Sequence, residues 1–134
     1  MLKESQLYLD KCLECALDNV VKGPAYKQKG CLLLSQNNFD EALAAFMEAE
    51  KYAQWTRQTR VIIRTIIDAV DVWCAKGLPQ TAISELERAL QLSFEIRELD
   101  DVIRCMVRKA QVYYTIGQMD EARNVITHIP KQID

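Results

Sequence analysis

The chain has 134 residues, of which 49% are hydrophobic and 27% charged, a composition typical of one folded domain and not of a disordered chain. Its formal net charge of −2 argues against a protein that binds nucleic acid through phosphate contacts. No apolar run approaches the roughly 20 residues that a membrane-spanning helix needs. The four glycines and three prolines favour helices over a sheet with many turns.

The first residues and the cysteines indicate a reducing compartment. The start, MLKESQLYLDKC, has acidic residues close to its apolar ones and differs from a secretory signal. The five cysteines are odd in number and fall on apolar helix faces, so we expect free thiols that pack as small hydrophobic groups. We therefore expect a cytoplasmic location, with the nucleus as the alternative.

A first helix is predicted over residues 3 to 21. Gly23 and Pro24 predict its end, because glycine often stops a helix and proline often begins the next one. This helix is either the second half of a preceding repeat or a capping helix. Its apolar positions are Tyr8, Leu9, Cys12, Cys15 and Ala16.

Residues 26 to 53 predict two helices that fold back on each other around a turn at residues 36 to 38. In the first helix Tyr26, Gly30 and Leu33 recur at helical spacing. The second helix carries apolar residues along one face: Ala42, Leu43, Phe46 and Ala49.

Two local features of this hairpin are predicted. Asn38 caps the second helix, and Glu41 completes a capping box with it. Gly30 and Ala42 are small, so we expect the two helix backbones to approach closely where these residues face each other.

The same pattern returns twice along the chain. A helix from Thr59 to Ala75 is unusually apolar, so we expect it to be covered on more than one side. Residues 76 to 79 form the turn that follows. A third unit begins near Asp100, turns at residues 116 to 118, and has a short second helix because Pro130 cannot continue it.

The hairpin resembles the tetratricopeptide repeat, whose signature is an aromatic residue, a glycine and an aromatic residue, followed by Ala, Phe and Ala. These places are filled by Tyr26, Gly30, Leu33, Ala42, Phe46 and Ala49. The equivalent alanines Ala42, Ala82 and Ala122 are 40 residues apart, whereas the usual unit has about 34 residues. Such elongated units resemble those of peptide-binding adaptor proteins, kinesin-type light chains and bacterial peptide-sensing regulators.

The resemblance implies an all-α, right-handed superhelical solenoid of antiparallel helix pairs, with seven helices in one domain over residues 1–134. Its predicted sections are a capping or partial-repeat helix (1–22) and three repeats (24–56, 59–97 and 100–134).

The resemblance also implies a peptide-binding groove on the concave side, formed by the first helix of each unit. The chain fills the family's groove places with Lys27, Cys31, Leu34, Arg64, Ile67, Asp68, Asp71, Arg104, Val107, Arg108, Gln111 and Tyr114. The alternative interpretation is that these residues form solvated helix faces without a ligand.

One known groove of the family is a clamp for the two carboxylates of a chaperone C-terminal peptide, built from Lys, Asn, Asn, Lys and Arg. This chain has Lys27, Cys31, Asp68, Arg104 and Arg108 at those places. Asp68 would repel the ligand carboxylate that an amide normally binds. The arginine pair, one helical turn apart, could still bind an acidic side chain.

No catalytic or metal-binding constellation is predicted. Cys12 and Cys15 are spaced like metal ligands, but a zinc site needs two more ligands and the sole histidine, His128, is at the far end of the chain. We expect these two thiols to pack on an apolar helix face, and we expect neither an enzyme nor a bound cofactor.

The predicted function is that of an adaptor or scaffold that binds a segment of a partner protein, with an acidic peptide or helix as the favoured ligand. The alternatives are a bacterial secretion chaperone and the peptide-sensing regulatory section of a larger protein. Neither nucleic acid nor membrane is an expected partner. Val125, Ile126 and Ile129 spread around the last helix, so this end is expected to be covered by a partner, by further residues, or by a second copy in weak self-association.

Overall fold

The computed structural model describes residues 2–15 and 19–130, with the side chains of residues 2 and 12–15 left undescribed. These residues form seven α-helices and no strand. The helices are α1 (Leu2–Cys15), α2 (Asn19–Ser35), α3 (Phe39–Trp55), α4 (Thr59–Ala75), α5 (Pro79–Glu95), α6 (Leu99–Thr115) and α7 (Met119–Thr127). Within these two ranges, no helix has both the length and the apolar character needed to cross a bilayer.

The helices stack in sequence order as antiparallel pairs, which confirms the predicted all-α solenoid. Each helix packs against the next one along the chain, and α4 also contacts α2 and α6 directly. The helices α3, α5 and α7 do not approach one another in the part of the chain that the structure describes. The stack is therefore tighter along α2, α4 and α6, which we call the inner layer; α3, α5 and α7 form the outer layer.

The central helix α4 has the most buried side chains of the inner layer. Ile63, Ile66 and Val70 are almost fully shielded from solvent. They belong to clusters that extend from α4 toward α3 on one side and toward α5 and α6 on the other. The prediction that this helix is covered on more than one side is confirmed.

Connections of three residues fix the length of every repeated helix. From α2 to α6 each helix has 17 residues, and the residue in the middle of each turn has a positive φ angle. These turn residues are 20 positions apart: Asn37, Arg57, Gly77, Arg97 and Gly117. The helices of the inner layer consequently begin every 40 residues, at Asn19, Thr59 and Leu99.

Each turn closes with the same pair of backbone hydrogen bonds. At the first turn, the N–H of Asn38 donates to the carbonyl oxygen of Leu33 at 2.9 Å, and the N–H of Asn37 donates to that of Leu34 at 3.0 Å. This is the Schellman pattern, and it recurs at the other four turns. The residue that closes it also accepts the first hydrogen bond of the next helix, so one residue ends one helix and begins another.

The predicted capping box at Asn38 is wrong. Asn38 does stand at the N-cap of α3, but its side chain makes no capping hydrogen bond and its amide donates to Gln36 at 3.4 Å. The backbone explains the difference, because the N–H of Asn38 is already held by the preceding helix in the Schellman pair. The turn geometry, and not a side chain, determines where α3 begins.

The predicted first helix over residues 3 to 21 is also wrong. The helix α1 ends at Cys15, and Asn19 already belongs to α2, so Gly23 and Pro24 lie inside a helix. Gly23 is buried where a Cβ atom would lie 3.5 Å from the carbonyl oxygen of Ala49 in α3. Packing against α3 thus outweighs the local tendency of a Gly-Pro pair to interrupt a helix.

The close approach predicted at Gly30 occurs against an aromatic ring. A Cβ atom at Gly30 would lie 2.6 Å from two ring carbons of Phe46, and these are its nearest neighbours. Phe46 is 2% exposed and packs with Ala42, Leu33 and Ala69, so its ring has little room to move. The ring of Phe46 therefore leaves no room for a side chain at position 30. The prediction had placed this tight contact at Ala42.

We expect Gly30→Ala to destabilise the fold by about 1 to 2 kcal/mol, because overpacking against Phe46 exceeds the gain in helix propensity. Gly23→Ala is the matched control: its Cβ would find ordinary contacts, so it should raise stability by up to about 1 kcal/mol. Urea unfolding measures both. Equal effects of the two substitutions would refute the ring contact, and Phe46→Leu should rescue Gly30→Ala.

The turns give a second prediction. Gly117→Ala should cost about 1 kcal/mol, because a Cβ strains the left-handed conformation even though Gly117 has open space around it. Arg97→Gly should stabilise the chain by up to about 1 kcal/mol for the same reason, while Arg97→Ala, which keeps the Cβ, should change little. Thermal unfolding of the three variants tests this, and a loss of stability in Arg97→Gly would contradict it.

Candidate functional site

All twelve predicted groove residues lie on the inner layer, within α2, α4 and α6. Their surroundings divide them into three groups. Some are ion-paired to a neighbouring helix, some pack in the core, and some are exposed at α6.

The first group links α2 to α4. The Lys27 ammonium lies 2.9 Å from the Asp68 carboxylate, and both side chains are half-buried. The Cys31 thiol donates to the same oxygen of Asp68 at 3.5 Å. Asp68 is thus neutralised within the chain, so it does not stand as the free repelling charge expected from the clamp pattern, and Lys27 is not free for a ligand.

A second ion pair links α4 to α6. One guanidinium nitrogen of Arg108 donates to Asp71 at 2.6 Å, and another donates to the side-chain oxygen of Gln111 at 2.9 Å. The guanidinium of Arg108 is therefore already hydrogen-bonded to other residues of the chain. Arg104, one turn earlier, is exposed, and no ion pair with another described residue is seen. In this arrangement Arg104 and Arg108 do not form one shared site for an acidic side chain.

Arg64 takes part in a third contact, which the sequence did not reveal. The carboxylate of Asp101, in the first turn of α6, is fully buried, and its oxygens lie 3.5 Å from Nε of Arg60 and 3.8 Å from Nε of Arg64. Neither oxygen accepts a hydrogen bond. The sequence pattern predicted Asp100 and Asp101 as N-terminal helix charges, which is right for their position, but gave no signal that Asp101 would be enclosed.

Apolar members of the predicted groove have structural roles. Ile67 packs against the cluster of Ile63 and against that of Val70, and Leu34 packs against the cluster around Phe46. These two residues stabilise the stack and leave less of their surface to a ligand.

The exposed members are concentrated on α6. Val107 and Tyr114 are exposed, with Gln111 between them on the same helix face. Together with α7 they line an open cleft of about 550 Å³ whose walls are mostly apolar. The α7 side of the cleft comes from Ala122, Ile126 and Ile129.

The inner-layer thiols are poor nucleophiles. Burial, and then the Asp68 carboxylate, raises the pKa of the Cys31 thiol from 9.0 to about 11. Burial likewise raises the pKa of Cys105 to about 11 and raises that of Cys74. All three are free thiols that are at least partly buried, as predicted. The side chains of Cys12 and Cys15 lie outside the described residues.

Within the described residues, no three His, Cys, Asp or Glu side chains come together as metal ligands. His128 is exposed at the C-cap of α7, where its Nδ1 lies 2.7 Å from the carbonyl oxygen of Asn124. The inner layer instead carries ion pairs, amides and exposed apolar side chains.

The fold defines a helical repeat protein. Residues 23–54, which cover most of α2 and α3, match the family model of the tetratricopeptide repeat. This segment is therefore a tetratricopeptide repeat, a type of repeat that suggests protein–protein interaction. No curated protein and no solved structure gives a significant match to the chain.

The pKa of Cys31 gives a test of the α2–α4 contact. Asp68→Asn removes the carboxylate that disfavours the thiolate, so the pKa of Cys31 should fall and its alkylation at pH 8 should be about three to ten times faster. Mass spectrometry of iodoacetamide-treated protein measures the rate at each cysteine. Cys105 is the internal control and should be unchanged; an unchanged Cys31 would mean that Asp68 does not affect this thiol.

Proposed function

We propose that the chain is a non-enzymatic adaptor that binds a segment of a partner protein along its inner layer. The observation that carries this proposal is the arrangement of α2, α4 and α6 in direct contact, which presents a continuous surface with fixed charges. A surface that is already ordered by its own ion pairs loses little entropy when it binds a flexible segment.

The ion pairs suggest how such a segment is recognised. Lys27 with Asp68, and Asp71 with Arg108, place charges of opposite sign next to each other along the layer. A partner that carries both acidic and polar groups can contact each pair without breaking it. Arg104 adds an exposed cation to this surface, which favours an acidic group in the segment bound near α6.

The compartment proposed for this activity is the cytoplasm or the nucleus. Cys31, Cys74 and Cys105 are unpaired, and a reducing environment maintains that state.

The test exchanges the two charges of the Asp71–Arg108 ion pair, so that the pair remains but its direction is reversed. The double substitution Asp71→Arg with Arg108→Asp should preserve stability within about 0.5 kcal/mol, since the exposed pair is re-formed in the opposite sense. Binding of a partner, identified beforehand by cross-linking to the wild-type chain, should be lost. Isothermal titration calorimetry measures the affinity, and thermal unfolding measures stability.

The matched control is the same exchange at Glu87 and Lys109, whose ion pair of 3.3 Å joins α5 to α6 away from the inner surface. Glu87→Lys with Lys109→Glu should leave binding intact. If the control abolishes binding and the Asp71–Arg108 exchange does not, the partner binds elsewhere and the inner layer is not the site.

A further inference from the structure

The turn between α3 and α4 and the first two turns of α4 carry charges of positive sign only. Residues 51–67 include Lys and Arg side chains but no acidic residue, in a chain whose formal net charge is −2. Three of these cations follow one another closely: Arg57 in the turn, and Arg60 and Arg64 in α4. Arg57 and Arg60 are exposed, and Arg64 is half-buried. We call these three residues the arginine patch.

A buried carboxylate from α6 holds two of these side chains in place. Asp101 is 0% exposed, and its oxygens lie 3.5 Å from Nε of Arg60 and 3.8 Å from Nε of Arg64. Both contacts are made at the Nε edge of the guanidinium group, while the two arginine side chains remain 49% and 40% exposed. The terminal nitrogens of both groups form no hydrogen bond with another described residue. The buried carboxylate thus anchors the two arginines and leaves their outer nitrogens available to a ligand.

From this we propose that the arginine patch binds the phosphate group of a phosphorylated serine or threonine in the partner segment. The inference rests on the proposed function, because Arg64 belongs to the inner layer and a segment bound along that layer reaches the patch at the start of α4. It assigns to that segment a chemical group that the inner-layer ion pairs do not specify.

The charge of the patch matches a phosphate better than a carboxylate. Three arginines and the one carboxylate paired with them carry a net charge of +2, and a phosphate monoester carries about −1.5 to −2 at pH 7. Its three outer oxygens can accept hydrogen bonds from two guanidinium groups at once, whereas a carboxylate offers only two oxygens. The next acidic residue along α4, Asp68, is neutralised by Lys27 at 2.9 Å.

A protein segment fits the patch better than an anionic membrane surface does. The turn between α5 and α6 lies at the same edge of the stack, because it too joins an outer-layer helix to an inner-layer helix. Residues 95–100 at that turn include Glu95, Glu98 and Asp100 against a single cation, Arg97. A flat anionic bilayer that reached the patch would also meet these acidic residues and be repelled, whereas one phosphorylated side chain contacts the patch alone.

The probe for the test is a blocked phosphoserine, N-acetyl-phosphoserine methylamide, added to the full-length chain labelled with ¹⁵N-arginine. NMR of the Nε–H groups should show saturable shifts at Arg60 and Arg64, with a Kd of about 1 to 10 mM. The unphosphorylated serine analogue should cause no shift, and the glutamate analogue should bind at least about fivefold more weakly because it carries less charge. Ionic strength is held constant, so that a general salt effect is not mistaken for binding.

Arg57→Gly separates binding from stability. Arg57 has a φ angle of 58°, so glycine should raise the unfolding temperature, while the loss of one cation should weaken phosphoserine binding about three- to tenfold. A merely structural role of Arg57 would move stability and binding in the same direction.

Arg60→Lys keeps the charge of the patch but removes the planar guanidinium group, so it should weaken phosphoserine binding about fivefold. The matched control is Arg88→Lys on α5, since the Arg88 side chain has a similar exposure of 41% and is paired with Glu50 and Glu85 in the outer layer. This control should leave the affinity unchanged.

Three results would overturn the inference. The phosphoserine probe could fail to saturate, or the glutamate analogue could bind equally well, in which case the patch has no preference for phosphate. Vesicles rich in phosphatidylserine could also bind the wild-type chain but not Arg57→Gly, which would make the patch a membrane contact. The partner protein is absent from all these measurements, so the Asp71–Arg108 exchange succeeds or fails independently of them.

Discussion

The left-handed residue in the middle of each three-residue turn is the constraint on which the rest of the structure depends. It allows the backbone N–H groups that follow a helix to close onto that helix, so the chain reverses within three residues. Because the turns come every 20 residues, α2 to α6 have the same length, and equivalent side chains meet equivalent neighbours. Gly77 and Gly117 adopt this conformation at little cost, whereas Arg57 and Arg97 are held there by the packing of the helices on either side.

This constraint explains which parts of the fold the sequence could predict. The spacing of Ala42, Ala82 and Ala122 indicated the repeat, and Gly77 and Pro79 marked a turn that the structure has at that place. At Gly23 and Pro24 the same type of signal was misleading. Local propensity favours a break there, but a break would remove the first turn of α2 from its contact with α3. The period of the turns, rather than the individual residues, was the more reliable guide.

The candidate site was less predictable, because its properties depend on pairs of residues from different helices. The family pattern placed the correct residues on the inner layer, yet it could not show that Lys27 and Asp68 neutralise each other across α2 and α4. Asp101 is the clearest case. Its position in the first turn of α6 was evident from the sequence, but its burial results from the approach of α4, which brings Arg60 and Arg64 to its carboxylate.

These cross-helix charges also make each inner-layer helix suited to its own neighbour. If a copy of α4 docked where α6 does, Asp68 would take the place of Arg108 beside Asp71, and Val61 would take that of Asp101 beside two arginines. The first exchange brings like charges together, and the second leaves two cations without their carboxylate. The apolar positions differ as well, since the counterpart of the buried Val70 is Ala110 and that of the buried Ala69 is Lys109. The three-residue turns set the stacking order, and the ion pairs of the inner layer match the neighbours that this order brings together.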